Sequence, residues 1–211
     1  MDSKMEKAEY YDDLSSALFE LERYDEALLE LRKAVAMEPE NALYYNNLGV
    51  VLYEVTNYEE ALIVMKKAAD LDSECARYHD NYAVILSEMK FYDEALIELR
   101  KAVTLEPENA RYHNNLGTTL QNMERYGEAL AEMRKAVDLE PGNACYHNNL
   151  GTTFHEMRSY DAAFSEIQKA IDLEPWNVCY YNNLGAALYE MEHMLKQKKA
   201  VHVAALKGKI N

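Results

Sequence analysis

The four prolines of this chain stand at 39, 107, 141 and 175, separated by whole multiples of 34 residues, and Ser73 fills the one vacant slot. The same interval governs the rest of the sequence. Copies begin at Ala8, Ala42, Ala76, Ala110 and Ala144, a partial copy begins at Val178, and no insertion or deletion separates them. A period of this length rules out a single globular core. Each copy must bury its apolar face against its neighbours, so function belongs on the surface of a stack.

Within the second copy, Tyr44, Leu48, Val51, Leu52 and Val55 form one apolar stripe, at repeat positions 3, 7, 10, 11 and 14. Tyr58, Ala61, Leu62, Met65, Ala68, Ala69 and Leu71 form another, at positions 17 to 30. Both keep the spacing of a helix face, which predicts two amphipathic helices per copy joined by a short turn near positions 15–17. Asn41, Asn109, Asn143 and Asn177 precede the first helices, where a side-chain oxygen can cap exposed amides. The proline two residues earlier ends the preceding second helix, because its ring cannot continue the hydrogen-bond ladder. Ser3 and Glu6 have the spacing of a capping box that would open the first helix early. Alanines at 27, 61, 95, 129 and 163, and again at 34, 68, 102, 136 and 170, let paired helices approach closely. Gly49, Gly117, Gly151 and Gly185 do the same on the first helices.

Charge narrows the partners. Acidic residues outnumber basic ones by 37 to 22, for a net charge of −15. The last eighteen residues hold Lys196, Lys198, Lys199, Lys207 and Lys209 and no acid, so the body carries −20 and the tail +5. Such a body repels phosphate backbones and anionic lipid, which argues against nucleic acid or a membrane as main partner. Cys75, Cys145 and Cys179 are an odd set without framework spacing, expected to be reduced thiols in a cytoplasmic protein. The N-terminus has no apolar signal region, and no run approaches membrane-spanning length.

Leu-Gly at positions 7–8, Tyr at 17, Ala at 20 and 27 and Pro at 32 resemble the tetratricopeptide repeat signature. Tyr45-Asn46-Asn47-Leu48-Gly49 with Tyr58, Ala61 and Ala68 is one instance, and Tyr181-Asn182-Asn183-Leu184-Gly185 restarts it. The resemblance covers residues 8 to about 191. Ser15 and Ala83 replace the glycine, Tyr82 the leucine and Ser73 the proline, changes expected to alter local packing only. The resemblance implies an all-α fold, a right-handed α-solenoid of helical hairpins with first helices along a concave face. The expected layout is a helix extension at 1–7 and five units, 8–41, 42–75, 76–109, 110–143 and 144–177. A partial sixth at 178–192 and a basic capping helix or tail at 193–211 complete it.

On the first helix, positions 2, 6, 9 and 13 lie opposite the core stripe. Position 6 holds Asn47, Asn81, Asn115, Asn149 and Asn183, although asparagine inside a helix costs roughly 0.5 kcal/mol relative to alanine. An amide offers a donor and an acceptor, matching the peptide group of an extended chain. This row is similar to the asparagine ladder in the tetratricopeptide groove of O-linked N-acetylglucosamine transferase. That resemblance implies a ladder that holds a partner's backbone; inheritance without use is the other reading. Position 9 is small throughout: Ser16, Val50, Val84, Thr118, Thr152 and Ala186. Glu54, Glu88 and Glu156 at position 13 favour a neutral or basic peptide, or are simply a solvated face. Arg77 and Arg111 make a positive spot that could take an acidic side chain or a terminal carboxylate, or pair with a groove acid. Clamps for acidic chaperone tails resemble a basic cage, but the corresponding places here hold Asp12, Ser16, Asn47, Arg77 and Asn81, so no such binding is expected.

His79, His113 and His147 share position 4 and are expected to pack edge-on between helices. Cys145 and Cys179 lie in adjacent units at a spacing of about 10 Å, beyond disulfide reach. No metal-ligand spacing, phosphate loop or nucleophile arrangement is present, so neither catalysis nor a cofactor is expected. Tyr24, Tyr58, Tyr92, Tyr126 and Tyr160 read as hairpin packing. In the tail, Met194, Leu195, Val201, Ala205 and Leu206 could form one stripe of a cap over the last unit, or a basic contact with lipid or another chain. The expected function is that of a non-catalytic adaptor binding an extended peptide. Self-assembly into a homo-oligomer, a recognition module of a larger enzyme, and a designed or recently duplicated array without an evolved ligand remain open.

Overall fold

The computed structural model describes residues 2–207, with the side chains of residues 4–197 and 199. Ser3 of the expected capping box and Val201, Ala205 and Leu206 of the tail stripe lie outside those side chains. Among the described residues there are eleven α-helices and no strand. They are α1 (Asp2–Glu20), α2 (Tyr24–Met37), α3 (Ala42–Glu54), α4 (Tyr58–Leu71), α5 (Ala76–Glu88), α6 (Tyr92–Leu105), α7 (Ala110–Asn122), α8 (Tyr126–Leu139), α9 (Ala144–Glu156), α10 (Tyr160–Leu173) and α11 (Val178–Lys207). The chain forms two compact units, Met1–Glu108 and Asn109–Asn211. The first contains three helical hairpins, α1–α2, α3–α4 and α5–α6; the second contains α7–α8, α9–α10 and the long α11.

Each hairpin closes on small residues. The alanines at positions 20 and 27 are fully buried in all five copies, which brings the helix axes close enough for the residue at position 24 to reach the facing first helix. Leu31, Met65, Leu99, Met133 and Ile167 occupy that position, each nearly inaccessible to water. Opposite Met65, Met133 and Ile167 stands glycine, where a side chain would collide, whereas Leu31 and Leu99 tolerate Ser15 and Ala83. A Cβ on Gly49 would stand 2.6 Å from Cγ of Met65, and one on Gly151 would stand 2.6 Å from Cγ1 of Ile167 and 3.2 Å from the Ala163 carbonyl.

Capping follows the sequence. Asn41, Asn109, Asn143 and Asn177 accept the amides of Leu43, Arg111, Cys145 and Cys179 at 3.1–3.2 Å. Cys75, in the same slot, makes no side-chain cap. The turns inside the hairpins have a feature the sequence does not announce. Position 15 carries Glu22, Thr56, Lys90, Glu124 and Arg158, all at φ between 56° and 64°. In the second copy the Asn57 amide then donates to the Leu52 carbonyl at 2.9 Å, ending α3 in a Schellman motif without glycine. Position 17 tyrosines meet position 12 across this turn: Phe19 with Tyr24 and Tyr53 with Tyr58, both at 5.5 Å between ring centres.

Candidate functional site

The surface line read from the sequence exists in each unit. Ser16, Glu20, Glu54 and Glu88 are exposed in the first unit, with Asn47, Val50, Asn81 and Val84 half-buried beside them. In the second unit Glu156, Glu190 and Ala186 are exposed, and Asn115, Thr118, Asn149, Thr152 and Asn183 are half-buried.

The asparagines do more than face solvent. Asn47 donates through Nδ2 to Asp12 at 2.9 Å, and Asn81 to Asn46 at 2.8 Å. In the second unit Asn149 donates to Asn114 at 3.0 Å and Asn183 to Asn148 at 2.8 Å. Every one of these acceptors is at position 5 of the preceding copy. The row at position 5 is largely buried: Asn46, Asn114 and Asn148 each expose under a tenth of their surface. Asn46 in turn donates to Oδ1 of its neighbour Asn47 at 3.2 Å, and Asn148 to Oδ1 of Asn149 at 3.5 Å. The amides at positions 5 and 6 therefore form a hydrogen-bonded zipper between successive first helices. Burial pushes the Asp12 carboxyl up, against the bond from Asn47.

The zipper spends one donor of Asn47, Asn81 and Asn183 and leaves the second N–H of each amide on the solvent side in a fixed orientation, while Nδ2 of Asn149 also reaches Sγ of Cys145 at 3.7 Å. Position 5 escaped the sequence reading because it sits beside position 6 on the helix yet points toward the next repeat, where position 6 of that repeat meets it. The signal was present as the recurring Asn-Asn doublet, and the 35-residue separation of the bonded partners shows how it is used.

Between α1 and α3 of the first unit lies an open pocket of about 160 Å³. Phe19, Val50, Val51 and Leu31 supply its apolar wall, and Ser16, Glu20 and Asn47 its polar rim. Arg77 lies over the ring of Tyr78 at 5.5 Å, and Arg111 over Tyr112 at 5.4 Å. Both arginines are exposed residues.

The histidines at position 4 are not merely packed. Nδ1 of His79, His113 and His147 lies 2.6–2.7 Å from Oε2 of Glu98, Glu132 and Glu166, the acids at position 23 of the facing second helix. Nε2 of His79 and His147 meets the carbonyls of Ser73 and Pro141 at 3.0 Å. Both partners of the His79 ring are acceptors, an arrangement that the imidazolium satisfies. The carboxylate of Glu98 holds the His79 pKa above its usual value, against the cost of burial. Lys101 and Lys169 complete the pattern on Glu98 and Glu166 at 2.8 and 2.9 Å. This arrangement ties the two helices of a hairpin together and leaves no nitrogen for a ligand in His79 or His147. Among the described residues, no group of three or more His, Cys, Asp or Glu side chains could hold a metal ion. The three cysteines are free thiols, and no helix is long and apolar enough to cross a membrane among the described residues.

The tetratricopeptide repeat description matches residues 42–71, 76–109, 110–143 and 146–175, and a TPR repeat description matches residues 16–55. No curated protein matches the chain at a significant level. Among solved structures, MamA from residue 41 to its end, from Desulfovibrio magneticus RS-1, is 26% identical with a TM-score of 0.72, covering 80% of this chain and 96% of that one. PilF of Pseudomonas aeruginosa aligns at 22% identity and a TM-score of 0.75, over 91% of this chain and 93% of its own. YrrB, described as a TPR protein with an unusual peptide-binding site, aligns at 24% identity and a TM-score of 0.66, over 86% and 90%.

Proposed function

From the membership of this chain in the tetratricopeptide repeat family, we propose that it is a non-catalytic adaptor that holds an extended peptide along its first helices. Proteins of this fold generally mediate protein–protein interaction without catalysing a reaction. The observation that carries the finer reading is the row of position-6 amides, half-exposed and already oriented by their bonds to position 5. A side chain fixed before binding loses little rotamer entropy when a partner arrives, so each remaining donor and acceptor contributes more to affinity. The role proposed resembles that of the ladder in O-linked N-acetylglucosamine transferase, with Asn47, Asn81, Asn115, Asn149 and Asn183 facing the guest backbone.

Small residues at position 9 leave the space the guest needs, and the pocket beside Phe19 and Val50 accepts one apolar side chain. The exposed row of Glu20, Glu54 and Glu88 selects a neutral or basic guest, with an attraction that weakens in salt. Arg77, spread over the Tyr78 ring, is placed to meet a single acidic group, with Arg111 over Tyr112 adding positive charge in the neighbouring copy. We place the protein in the cytoplasm on its reduced cysteines.

The test is a random-peptide display screen against the full chain, repeated on Val50→Trp and Val84→Trp. These changes fill the floor of the line and leave the zipper alone. Selected peptides should lose at least tenfold in affinity while helix content stays constant. Peptides that bind both variants as well as the parent chain would show that the guest sits elsewhere.

A further inference from the structure

In every complete copy the face of the first helix that carries positions 1, 8 and 11 is covered by that copy's own second helix. Ala76, Ala110 and Ala144 at position 1 and Leu52, Leu86 and Leu120 at position 11 are almost wholly buried. In α11 the same face is bare. Val178 is 68% exposed, Tyr181 47% and Leu188 39%, and nothing lies within 4 Å of a Cβ built on Gly185. Leu195, 55% exposed, continues the line. Residues 178, 181, 185, 188, 192 and 195 alternate steps of three and four, the seam of a helix that expects a helical partner.

The chain carries a remnant of the helix that belongs there. Lys199-Ala200-Val201 repeats the Lys-Ala-Val of residues 33–35, 101–103 and 135–137, near the end of those second helices. It comes four residues early: eight residues separate Met191 from Lys199, where twelve separate Met157 from Lys169. The missing stretch is the turn. No described residue of α11 has a positive φ, whereas position 15 of all five complete copies does. The helix therefore runs straight from Val178 to Lys207, and its second half cannot fold back over its first.

We propose that a second copy of this chain supplies the cover, through antiparallel pairing of two α11 helices about a two-fold axis near residue 190. Residues equidistant from 190 then face one another. Leu195 of one copy sits on Gly185 of the other, as Met65 sits on Gly49, and Lys199 lies on Tyr181, as Lys33 lies 5.2 Å over the Tyr11 ring. Charge selects this direction. The acid-free segment with Lys196, Lys198 and Lys199 comes to lie along the N-terminal half of the partner's α11, on an acidic body, whereas parallel pairing would set lysine beside lysine. The opened hairpin is thereby completed twice in one symmetric exchange.

Sedimentation of the full chain should show a mass rising with concentration from 24.3 kDa to twice that value and no further. Leu188→Asp with Leu195→Asp should return the monomer, with unchanged helical circular dichroism. A second measurement stands if that variant unfolds. In a background with Cys75, Cys145 and Cys179 changed to serine, Gly185→Cys and Leu195→Cys chains are mixed and oxidised. Antiparallel pairing gives a cross-linked dimer in the mixture and not from the Gly185→Cys chain alone. A monomer at every concentration, a mass beyond the dimer, or cross-linking of Gly185→Cys to itself would each overturn the proposal.

Discussion

Asn81 donates its amide hydrogen to Oδ1 of Asn46, a residue one copy earlier and one position closer to the start of its helix, at 2.8 Å. Asn46 is 3% exposed, so its carbonyl oxygen has little recourse to water if this bond is lost. Removing one partner of a buried pair costs more than the bond contributes, because the other is left desolvated. Asn81→Ala should therefore destabilise the first unit by about 1–2 kcal/mol, read as a lower urea midpoint with unchanged slope. The reading fails if the midpoint rises, as helix propensity alone would demand for asparagine replaced by alanine. This variant also bears on peptide binding: a loss of affinity in Asn81→Ala cannot by itself be assigned to a lost ladder contact, which is why the position-9 variants are the cleaner probe.

His79 gives the protein a pH dependence whose sign is fixed by its partners. Its folded pKa is raised, chiefly by the hydrogen bond to Glu98, so its contribution to stability is complete below the ordinary value of 6.5 and lost as pH rises through the folded value. Burial raises the Glu98 pKa, but the bonds from His79 and Lys101 outweigh it and leave the pKa below 4.5. That contribution is complete above 4.5 and lost as pH falls through the folded value. The pair is strongest between about 4.5 and 6.5. The stability difference between the parent chain and His79→Gln should be largest near pH 6 and shrink by pH 8.5. Thermal melts at the two values measure it; an equal difference at both would show that His79 acts by packing alone.

Two glycines in the second unit should respond oppositely to alanine. A Cβ at Gly151 meets Ile167 Cγ1 at 2.6 Å and the backbone of Ala163 and Ile167 at 3.2 Å, and the backbone contacts cannot be relieved by a rotamer change. Gly151→Ala should cost about 1–3 kcal/mol. Gly127, in the first turn of α8, has nothing within 4 Å of a built Cβ, and Gly127→Ala should add about 0.5–1 kcal/mol through helix propensity. Melting temperatures of the two single variants decide the matter, and a gain from Gly151→Ala would mean that the hairpins separate easily.

The period made the hairpins legible before any coordinates, because each stripe, cap and alanine pair is a local property of one copy. The contacts between copies were not. Asn46 and Asn47 are equivalent in sequence, and which neighbouring repeat each turns toward depends on the rotation between successive first helices. The same holds for His79, whose expected packing role proved to be an ion pair, because Glu98 comes within reach only once the two helices of the hairpin cross at a defined register. The straightness of α11 was hidden for another reason. The loss of four residues removes a turn that no glycine marks and that carries an asparagine only in the second copy, so its absence left no gap in the pattern of turn-forming residues.

That unmarked turn supports one more substitution. Thr56 holds φ at 58°, where the Cβ of an L-residue crowds the following carbonyl at a cost of roughly 1–2 kcal/mol, and its branched side chain is among the least suited to the position. The side chain is exposed, so replacing it removes little packing. Glycine adopts this conformation without strain but gives the unfolded chain more freedom, which returns about 0.4–1 kcal/mol of the gain. Thr56→Gly should therefore stabilise the second hairpin by about 0.5–1 kcal/mol net, as a higher urea midpoint with the same slope. Thr56→Ala, which keeps the Cβ, should show little of that gain. If the two variants were equally stable, the left-handed geometry at position 15 would not be a source of strain, and the absence of glycine from all five turns would need no compensation from the tyrosine packing across them.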